Sequence, residues 1–187
     1  MTLKTRWINT LYNVATGNRN IRNFFTPVGA LFYGLLIFLS VVIALQVDSF
    51  LGISNMLPKS LRLILSLPVF SLALFFIGWS VQYFLKVKGT PVPFNPPPKL
   101  VTTGPYAYTR NPMLTGVFIL LFAFGVYYGS ISLIFIFTPL FILLNVWELK
   151  FIEEPELVKR LGEDYIEYRK RTPMFFPGFG MILKRRK

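Results

Sequence analysis

The 187-residue chain contains no cysteine and no histidine. The missing cysteines exclude disulfide bonds and thiolate chemistry, and the missing histidines exclude an imidazole base and histidine-bound metals. We therefore expect no metal cofactor. Acidic residues are also scarce, because 8 Asp and Glu stand against 20 Lys and Arg, which gives a net charge of +12. A charge excess of this size suits an anionic partner, either nucleic acid or lipid headgroups.

Charged residues as a whole are few. They make up 15% of the chain, whereas 53% of the residues are hydrophobic and the mean hydropathy is +0.54. Soluble domains contain about 25% charged residues. The composition therefore excludes an ordinary soluble domain and favours a membrane protein. It also makes membrane lipids, and not nucleic acid, the expected partner of the positive charge.

Four apolar segments predict an all-α, polytopic membrane helical bundle. Residues 28–47 carry no charge, and about 20 such residues cross the roughly 30 Å of bilayer hydrocarbon. The other segments are residues 61–85, 113–128 and 130–151, and the last two meet at a tight Gly129-Ser130 corner that predicts an antiparallel hairpin. We divide the chain into an N-terminal cytoplasmic arm (1–27), two N-terminal transmembrane helices (28–85) and a C-terminal region (86–187).

The distribution of Lys and Arg predicts the orientation. The N-terminal arm has four of them, residues 48–60 have only Lys59, residues 86–111 have four, and residues 150–187 have ten. Alternation of this kind follows the positive-inside rule for four crossings with both termini in the cytoplasm, in a bacterial inner membrane or an endoplasmic reticulum-like membrane. A three-span or monotopic arrangement is the alternative.

The loop at residues 86–111 is rich in proline, which favours extended backbone and disfavours helix. Apolar and aromatic residues such as Leu100, Val101 and Tyr106 are interspersed among the prolines. Long loops of this kind are often functional, and the interspersed apolar residues indicate a loop packed on the bundle. We interpret it as an ordered binding loop, with a plain linker as the alternative.

Ionisable residues follow the fourth apolar segment. Such residues at membrane depth are functional candidates by default. Glu153 and Glu154 are adjacent there, and for Glu154 the simpler interpretation is a marker of the water interface. Pro155 is expected to break the helix and to begin a new one. Apolar and aromatic residues then recur on one face, which predicts a C-terminal amphipathic helix in the inner membrane interface: Leu157, Leu161, Tyr165 and Tyr168.

Two blocks of sequence resemble the isoprenylcysteine carboxyl methyltransferase and phospholipid methyltransferase superfamily. The first is the stretch G-P-Y-A-Y-T-R-N-P-M-L-T-G at residues 104–116, which resembles the family pattern G-P-Y-x-Y-x-R-H-P-x-Y-x-G. The second is the Glu153-Glu154 pair with its downstream Leu, Gly, Tyr, Arg and Pro residues, which end at Arg171 and Pro173. The order and spacing agree across residues 98–177, whereas the N-terminal half matches only in being two helices.

The resemblance implies an integral membrane enzyme that transfers a methyl group from S-adenosyl-L-methionine to a lipophilic acceptor. Carried over by position, its cofactor-binding residues would be Pro98, Lys99, Leu100, Val101, Tyr106, Asn111, Pro112, Met113, Leu114 and Glu153. A carboxylate accepts hydrogen bonds from ribose hydroxyls or an amino group, and an aromatic face can stack on adenine. We expect Arg171 and Tyr168, as candidate catalytic residues, to hold the anionic head of the acceptor. For Arg110 and Tyr106, anchoring in the membrane interface is the alternative role.

This sequence departs from the family pattern at three positions. Asn111 replaces the family's histidine, Leu114 replaces its tyrosine, and Leu149 occupies the position of an arginine that binds a substrate carboxylate. An isoprenylcysteine-like carboxylate is one possible acceptor and a phospholipid amine is another. The alternatives to a methyltransferase are an NADPH-dependent enzyme of the sterol-reductase type and a non-catalytic membrane protein that retains the fold.

Overall fold

A computed structural model describes residues 2–53, 57–87, 90, 95–97 and 99–175. These residues form helices and their connections, with no β-strand among them, which confirms the predicted all-α fold. The α-helices are α1 Leu3–Thr16, α2 Arg19–Phe50, α3 Lys59–Lys86, α4 Pro112–Tyr128, α5 Thr138–Glu148, α6 Glu154–Leu161 and α7 Glu163–Arg171.

The N-terminal arm is helical. Two side-chain caps explain why it forms two helices, α1 and the start of α2, and not one. The Thr2 hydroxyl accepts a hydrogen bond from the Thr5 amide (3.3 Å) at the start of α1. The Asn18 side chain accepts one from the Asn20 amide (2.9 Å) and so caps α2. Because these side chains satisfy amides that have no partner inside the helix, α2 begins well before the apolar segment predicted at residue 28. The division of the chain at residue 27 stays a prediction.

The spanning helices are longer than the apolar segments that predict them. Among the described residues, three helices are long and apolar enough to cross a membrane, namely α2, α3 and a continuous helix Leu133–Leu161 that contains α5 and α6. At 17 residues, α4 is shorter and spans about 25 Å at about 1.5 Å per residue. Many large apolar side chains on these helices are exposed, as expected of surfaces that face lipid. The protein is therefore a membrane helical bundle, as predicted.

The helix does not break at Pro155, so that part of the prediction is wrong, although Pro155 does lie in the first turn of α6 as expected. A π-helical turn, Leu149–Glu153, precedes α6, and helical backbone continues through Pro155 to Leu161. Proline normally clashes with the carbonyl of the preceding turn and removes a hydrogen bond. The wider π turn relieves that clash, because its hydrogen bonds join residues five apart. The break comes at Gly162, whose φ of +60° suits glycine, and α7 follows.

Helices α3 and α4 pack closely because a glycine lies between them. A Cβ atom on Gly116 would lie 2.7 Å from the Ile77 side chain and 3.0 Å from the Ala73 carbonyl oxygen. Small residues allow the close approach that drives helix association within membranes. The adjoining core consists of Ala44, Val117, Phe118, Leu121, Leu133 and Phe141.

We predict that Gly116→Ala lowers the free energy of unfolding by about 1–3 kcal/mol, because the added methyl group forces α3 and α4 apart. Gly78→Ala is the matched control, since a Cβ atom at that position in α3 meets nothing within 4 Å. Reversible unfolding in mixed micelles measures both variants. Equal losses of stability in the two would contradict the close packing at Gly116.

Polar contacts close the bundle at the end where α4 turns back. Gly129 adopts the left-handed conformation (φ 70°) and ends α4, which confirms the predicted tight corner. The Asp48 carboxylate accepts hydrogen bonds from the Ser132 amide (3.0 Å) and the Ser130 hydroxyl, and so caps the next helix. Arg62 donates to the Tyr128 carbonyl at the end of α4. The end of α3 and the start of α4 therefore meet at the opposite end of the bundle.

Four crossings with both termini on one side stay a prediction from the Lys and Arg counts. Reporter fusions at Asn55, which lies outside the described residues, and at the C-terminus should report opposite sides of the membrane. Reporters on the same side would contradict the four-span topology.

Candidate functional site

A cleft lies at the end of the bundle where α3 ends and α4 begins. Its walls come from the end of α3, the loop before α4, the π turn, α6 and α7. It contains about 760 Å³ of empty space, part of which is open to solvent. The lining residues that bear on its chemistry are Phe84, Lys99, Leu100, Val101, Tyr106, Arg110, Asn111, Leu149, Glu153, Glu154, Glu156, Leu157, Arg160, Leu161, Tyr165 and Tyr168.

The loop wall is held by Tyr106. Residues Gly104–Ala107 form a 3-10 turn with proline in its first positions, so this part of the proline-rich loop is helical and not extended. Tyr106 is 6% exposed, and its ring packs edge-on against Phe84 of α3. The Tyr168 hydroxyl donates a hydrogen bond of 2.6 Å to the Tyr106 carbonyl oxygen. Burial raises the pKa of both phenols above the ordinary value, so both stay protonated and neutral.

The segment before α4 pairs with the chain that follows α7. The Arg110 amide donates to the Pro173 carbonyl (2.9 Å), and the Asn111 amide donates to the Met174 carbonyl (3.2 Å). The Asn111 side-chain amide donates to that same Met174 carbonyl (3.3 Å). These bonds close the cleft at one end, because they join two segments that are far apart in sequence. They also use the Asn111 side chain in part for structure.

Arg110 and Glu154 form an ion pair beneath the cleft. The Arg110 guanidinium lies 2.5 Å from the Glu154 carboxylate, and both side chains are 10% exposed. Arg110 also donates to the Arg169 and Thr172 carbonyl oxygens (2.9 and 2.8 Å). Glu154 is thus a buried structural partner, and its interpretation as a marker of the water interface stays a prediction. The interaction fixes α6 and α7 to the loop before α4.

The helical wall carries a second ion pair and an apolar stripe. Arg160 lies 2.8 Å from Glu156 one turn earlier in α6, and Glu156 is 3% exposed. The residues predicted to form one face of the amphipathic helix all line the cleft, although Gly162 divides that helix in two: Leu157, Leu161, Tyr165 and Tyr168. This stripe therefore faces the cleft.

Glu153 differs from Glu154 and Glu156 because its carboxylate has no ion-pair partner among the described residues. It lines the cleft, and within the described part of the chain it accepts no hydrogen bond and forms no ion pair. It ends the π turn, where residues five apart fall on nearly the same side. Glu148 and Glu153 are five apart, so the π turn brings a second carboxylate towards this side. π turns occur frequently at functional sites.

The cleft unites some of the residues predicted to form the site and leaves others outside. The residues in its lining are Lys99, Leu100, Val101, Tyr106, Asn111, Glu153 and Tyr168. Pro112 is buried at the start of α4, Met113 follows it, Leu114 packs against the core, and Arg171 is exposed on α7. Pro98 lies outside the described residues. The role of each of these residues stays a prediction.

Reasoning from the sequence missed several lining residues. The ion pair of Glu156 and Arg160 could have been predicted from the sequence, because opposite charges four residues apart on a helix face each other. The pairing of Arg110 with Glu154 joins positions 44 residues apart, and neither periodicity nor composition indicates it. In the sequence, nothing distinguishes Phe84 from the other apolar residues of its spanning helix.

The helices and the cleft define an integral membrane protein with a cleft at one end of its spanning helices. The chain belongs to the phospholipid methyltransferase family, whose model matches residues 61–164, more than half of the chain. This confirms the resemblance found in the sequence.

A nickel-cobalt-cadmium resistance protein, NccN, of Alcaligenes xylosoxydans xylosoxydans is 32% identical over 84 residues. The matched region is 45% of this chain and 38% of that protein, so this chain spans well under half the length of that relative. No solved structure matches the chain.

Proposed function

We propose that the protein transfers a methyl group from S-adenosylmethionine to a lipophilic acceptor held in the membrane. Family membership supports the reaction class. The observation that carries the proposal is the unpaired Glu153 carboxylate, which shares one cleft with Tyr106 and with residues 99–101 of the loop. Tyr106 and Glu153, which are 47 residues apart in the chain, thus line a single cleft.

The lining residues fit the chemistry of this cofactor. Its ribose hydroxyls and amino group are hydrogen-bond donors, which an unpaired carboxylate such as Glu153 binds well. Tyr106 offers a buried aromatic face for adenine or for the sulfonium cation. The bound cofactor supplies the methyl group as an electrophile. The protein needs neither a metal nor an acid-base pair for that supply, since its main tasks are to position the reactants and to exclude water.

The apolar residues of the cleft suit the acceptor. Leu149 is 2% exposed and lines the cleft where the family places an arginine. Leu157 and Leu161 extend this apolar surface along α6. An apolar group at these positions gains from leaving water, whereas Leu149 offers a carboxylate none of the charge that an arginine at that position would supply. The cleft thus favours a phospholipid amine over an isoprenylcysteine carboxylate as the acceptor.

Tyr168 and Arg171 are the proposed contacts of the polar head of the acceptor. The Tyr168 hydroxyl already donates its proton to the Tyr106 carbonyl, so only its oxygen lone pair remains for the head. Arg171 lies exposed three residues further along α7. In this arrangement Tyr168 positions the head inside the cleft, and Arg171 contacts it from the rim.

Ligand-dependent stability tests the proposed function. S-adenosylhomocysteine at a hundredfold excess over its Kd should stabilise the folded protein by about 2.7 kcal/mol. Thermal unfolding in micelles, with S-adenosylhomocysteine and with NADPH in parallel, measures the effect. Stabilisation by NADPH alone would support the sterol-reductase alternative. Stabilisation by neither would favour a non-catalytic protein that retains the fold.

We further predict that the acceptor reaches the site from the bilayer. An acceptor with an apolar tail retains about 0.8 kcal/mol per buried CH₂ by staying in lipid. Methyl transfer should therefore rise with chain length among acceptors that share one head group. Initial rates across such a series in proteoliposomes measure this. Rates that are indifferent to chain length, or highest with the water-soluble head group alone, would contradict lateral access.

A further inference from the structure

The N-terminal helix α1 lies outside the region that matches the family, and no step of the proposed function uses it. The first 47 residues contain Lys4, Arg6, Arg19 and Arg22 and no acidic residue. The first carboxylate of the chain is Asp48, at the far end of α2. All four cations therefore lie in α1 or in the first turn of α2, just before the helix enters its apolar stretch.

One face of α1 packs against the helix that forms the cleft wall. Leu11 and Ala15 are buried on this face. Lys159 of α6 donates a hydrogen bond of 2.9 Å to the Asn9 side chain, and its ammonium lies 4.1 Å from the centre of the Tyr12 ring. Because α6 presents Glu156, Leu157 and Arg160 to the cleft, it lies between the cleft and α1.

A second face of α1 is apolar and exposed. Leu3 and Trp7 are 74% and 62% exposed. They are four residues apart, and the half-buried Val14 follows seven residues after Trp7, so the three share one stripe of the helix. Arg6 lies beside this stripe and is exposed. Tryptophan is enriched at the membrane–water interface, because its ring is amphipathic.

We propose that α1 is an interfacial membrane anchor that binds anionic lipid headgroups and holds the outer side of α6. The stripe of Leu3, Trp7 and Val14 enters the headgroup region, while Arg6 and Arg19 contact lipid phosphates. The occupant is a bilayer and not a second protein, for two reasons. The face adjoins a spanning helix, and an uninterrupted positive charge complements an anionic surface. The cleft wall is thereby supported by the membrane surface itself.

Fluorescence from Trp7 tests its depth directly. In full-length protein with Trp79→Phe and Trp147→Phe, Trp7 is the one remaining tryptophan. Nanodiscs with brominated phosphatidylcholine report depth, because bromine quenches tryptophan only at short range. Bromines near the headgroup should quench Trp7 more than bromines near the chain ends. No quenching by either lipid would place this face in water or against a protein, and would overturn the proposal.

A second measurement tests the preference for anionic lipid. Quenching of Trp7 should increase when phosphatidylglycerol replaces part of the phosphatidylcholine, and Arg6→Gln with Arg19→Gln should abolish that increase. Lys59→Gln is the control, since Lys59 is an exposed cation at the start of α3. An increase that survives in the double variant, or that Lys59→Gln abolishes equally, would overturn headgroup binding by α1. Circular dichroism confirms that each variant is folded, and neither measurement depends on methyl transfer.

Discussion

Replacing Arg110 with Gln is expected to lower the free energy of unfolding by about 3–5 kcal/mol, because removal of one partner leaves the other charge buried and uncompensated. The Arg110 guanidinium binds the Glu154 carboxylate at 2.5 Å and also donates to two carbonyl oxygens around the end of α7. Glutamine is too short and has too few donors to keep these three contacts. Reversible unfolding in mixed micelles measures the loss.

Two further variants distinguish the effect of breaking the ion pair on stability from the effect of simply removing a positive charge. Arg169 lies 3.7 Å from the same Glu154 carboxylate but is 42% exposed, so Arg169→Gln should cost at most about 1 kcal/mol. A double variant, Arg110→Met with Glu154→Leu, removes both charges and should recover much of the stability. If Arg110→Gln proves no worse than Arg169→Gln, Arg110 does not hold the C-terminal helices in place.

The spanning helices were predictable because lipid imposes a simple rule on them. A charge-free run of sufficient length must be helical, since no water is present to satisfy its backbone. The segments predicted at 61–85 and 113–128 agree within two residues with α3 and α4. The rule does not predict where a helix begins when its first residues lie outside the hydrocarbon, because water can satisfy their backbone groups. The start of α2 depends on the Asn18 cap, and Pro27 lies inside the helix without ending it.

Pro155 shows where a local rule fails for a physical reason. Proline in a regular helix removes one hydrogen bond and clashes with the preceding turn, so a break was the natural prediction. The π turn at Leu149–Glu153 changes the spacing of hydrogen bonds just before it. No composition or periodicity in the sequence indicates a π turn. The same turn directs Glu153 into the cleft, so the unpredicted geometry and the candidate site coincide.

The cleft was predictable only in part for a similar reason. The resemblance to the family placed Tyr106, Asn111 and Glu153 at one site, and all three line one cleft. It did not distinguish the two adjacent carboxylates by their partners. Glu154 is buried in an ion pair with Arg110, while Glu153 forms none with any residue that the structure describes. Such a difference depends on contacts between segments that are distant in sequence. Neither the spacing of residues nor their helix propensity predicts these contacts.

This difference makes Glu153→Gln the most informative substitution in the site. Loss of a charge-assisted hydrogen bond typically costs about 1.5–3 kcal/mol, which corresponds to roughly 10- to 150-fold in affinity. Isothermal titration with S-adenosylhomocysteine should show that loss, while the stability of the unliganded protein changes little, because Glu153 has no partner to lose. Glu154→Gln is a poor comparison, since it also breaks the ion pair with Arg110.

Glu167→Gln is the better control, because Glu167 is an exposed carboxylate on α7 and does not line the cleft. It removes the same charge without removing a ligand contact, so its affinity for S-adenosylhomocysteine should equal that of the unchanged protein. Equal affinities in Glu153→Gln and Glu167→Gln would remove Glu153 from the cofactor site. A weakened Glu153→Gln with an unaltered unfolding transition would mean that this carboxylate serves ligand binding and not the fold. That result would set it apart from Glu154, its neighbour in the chain.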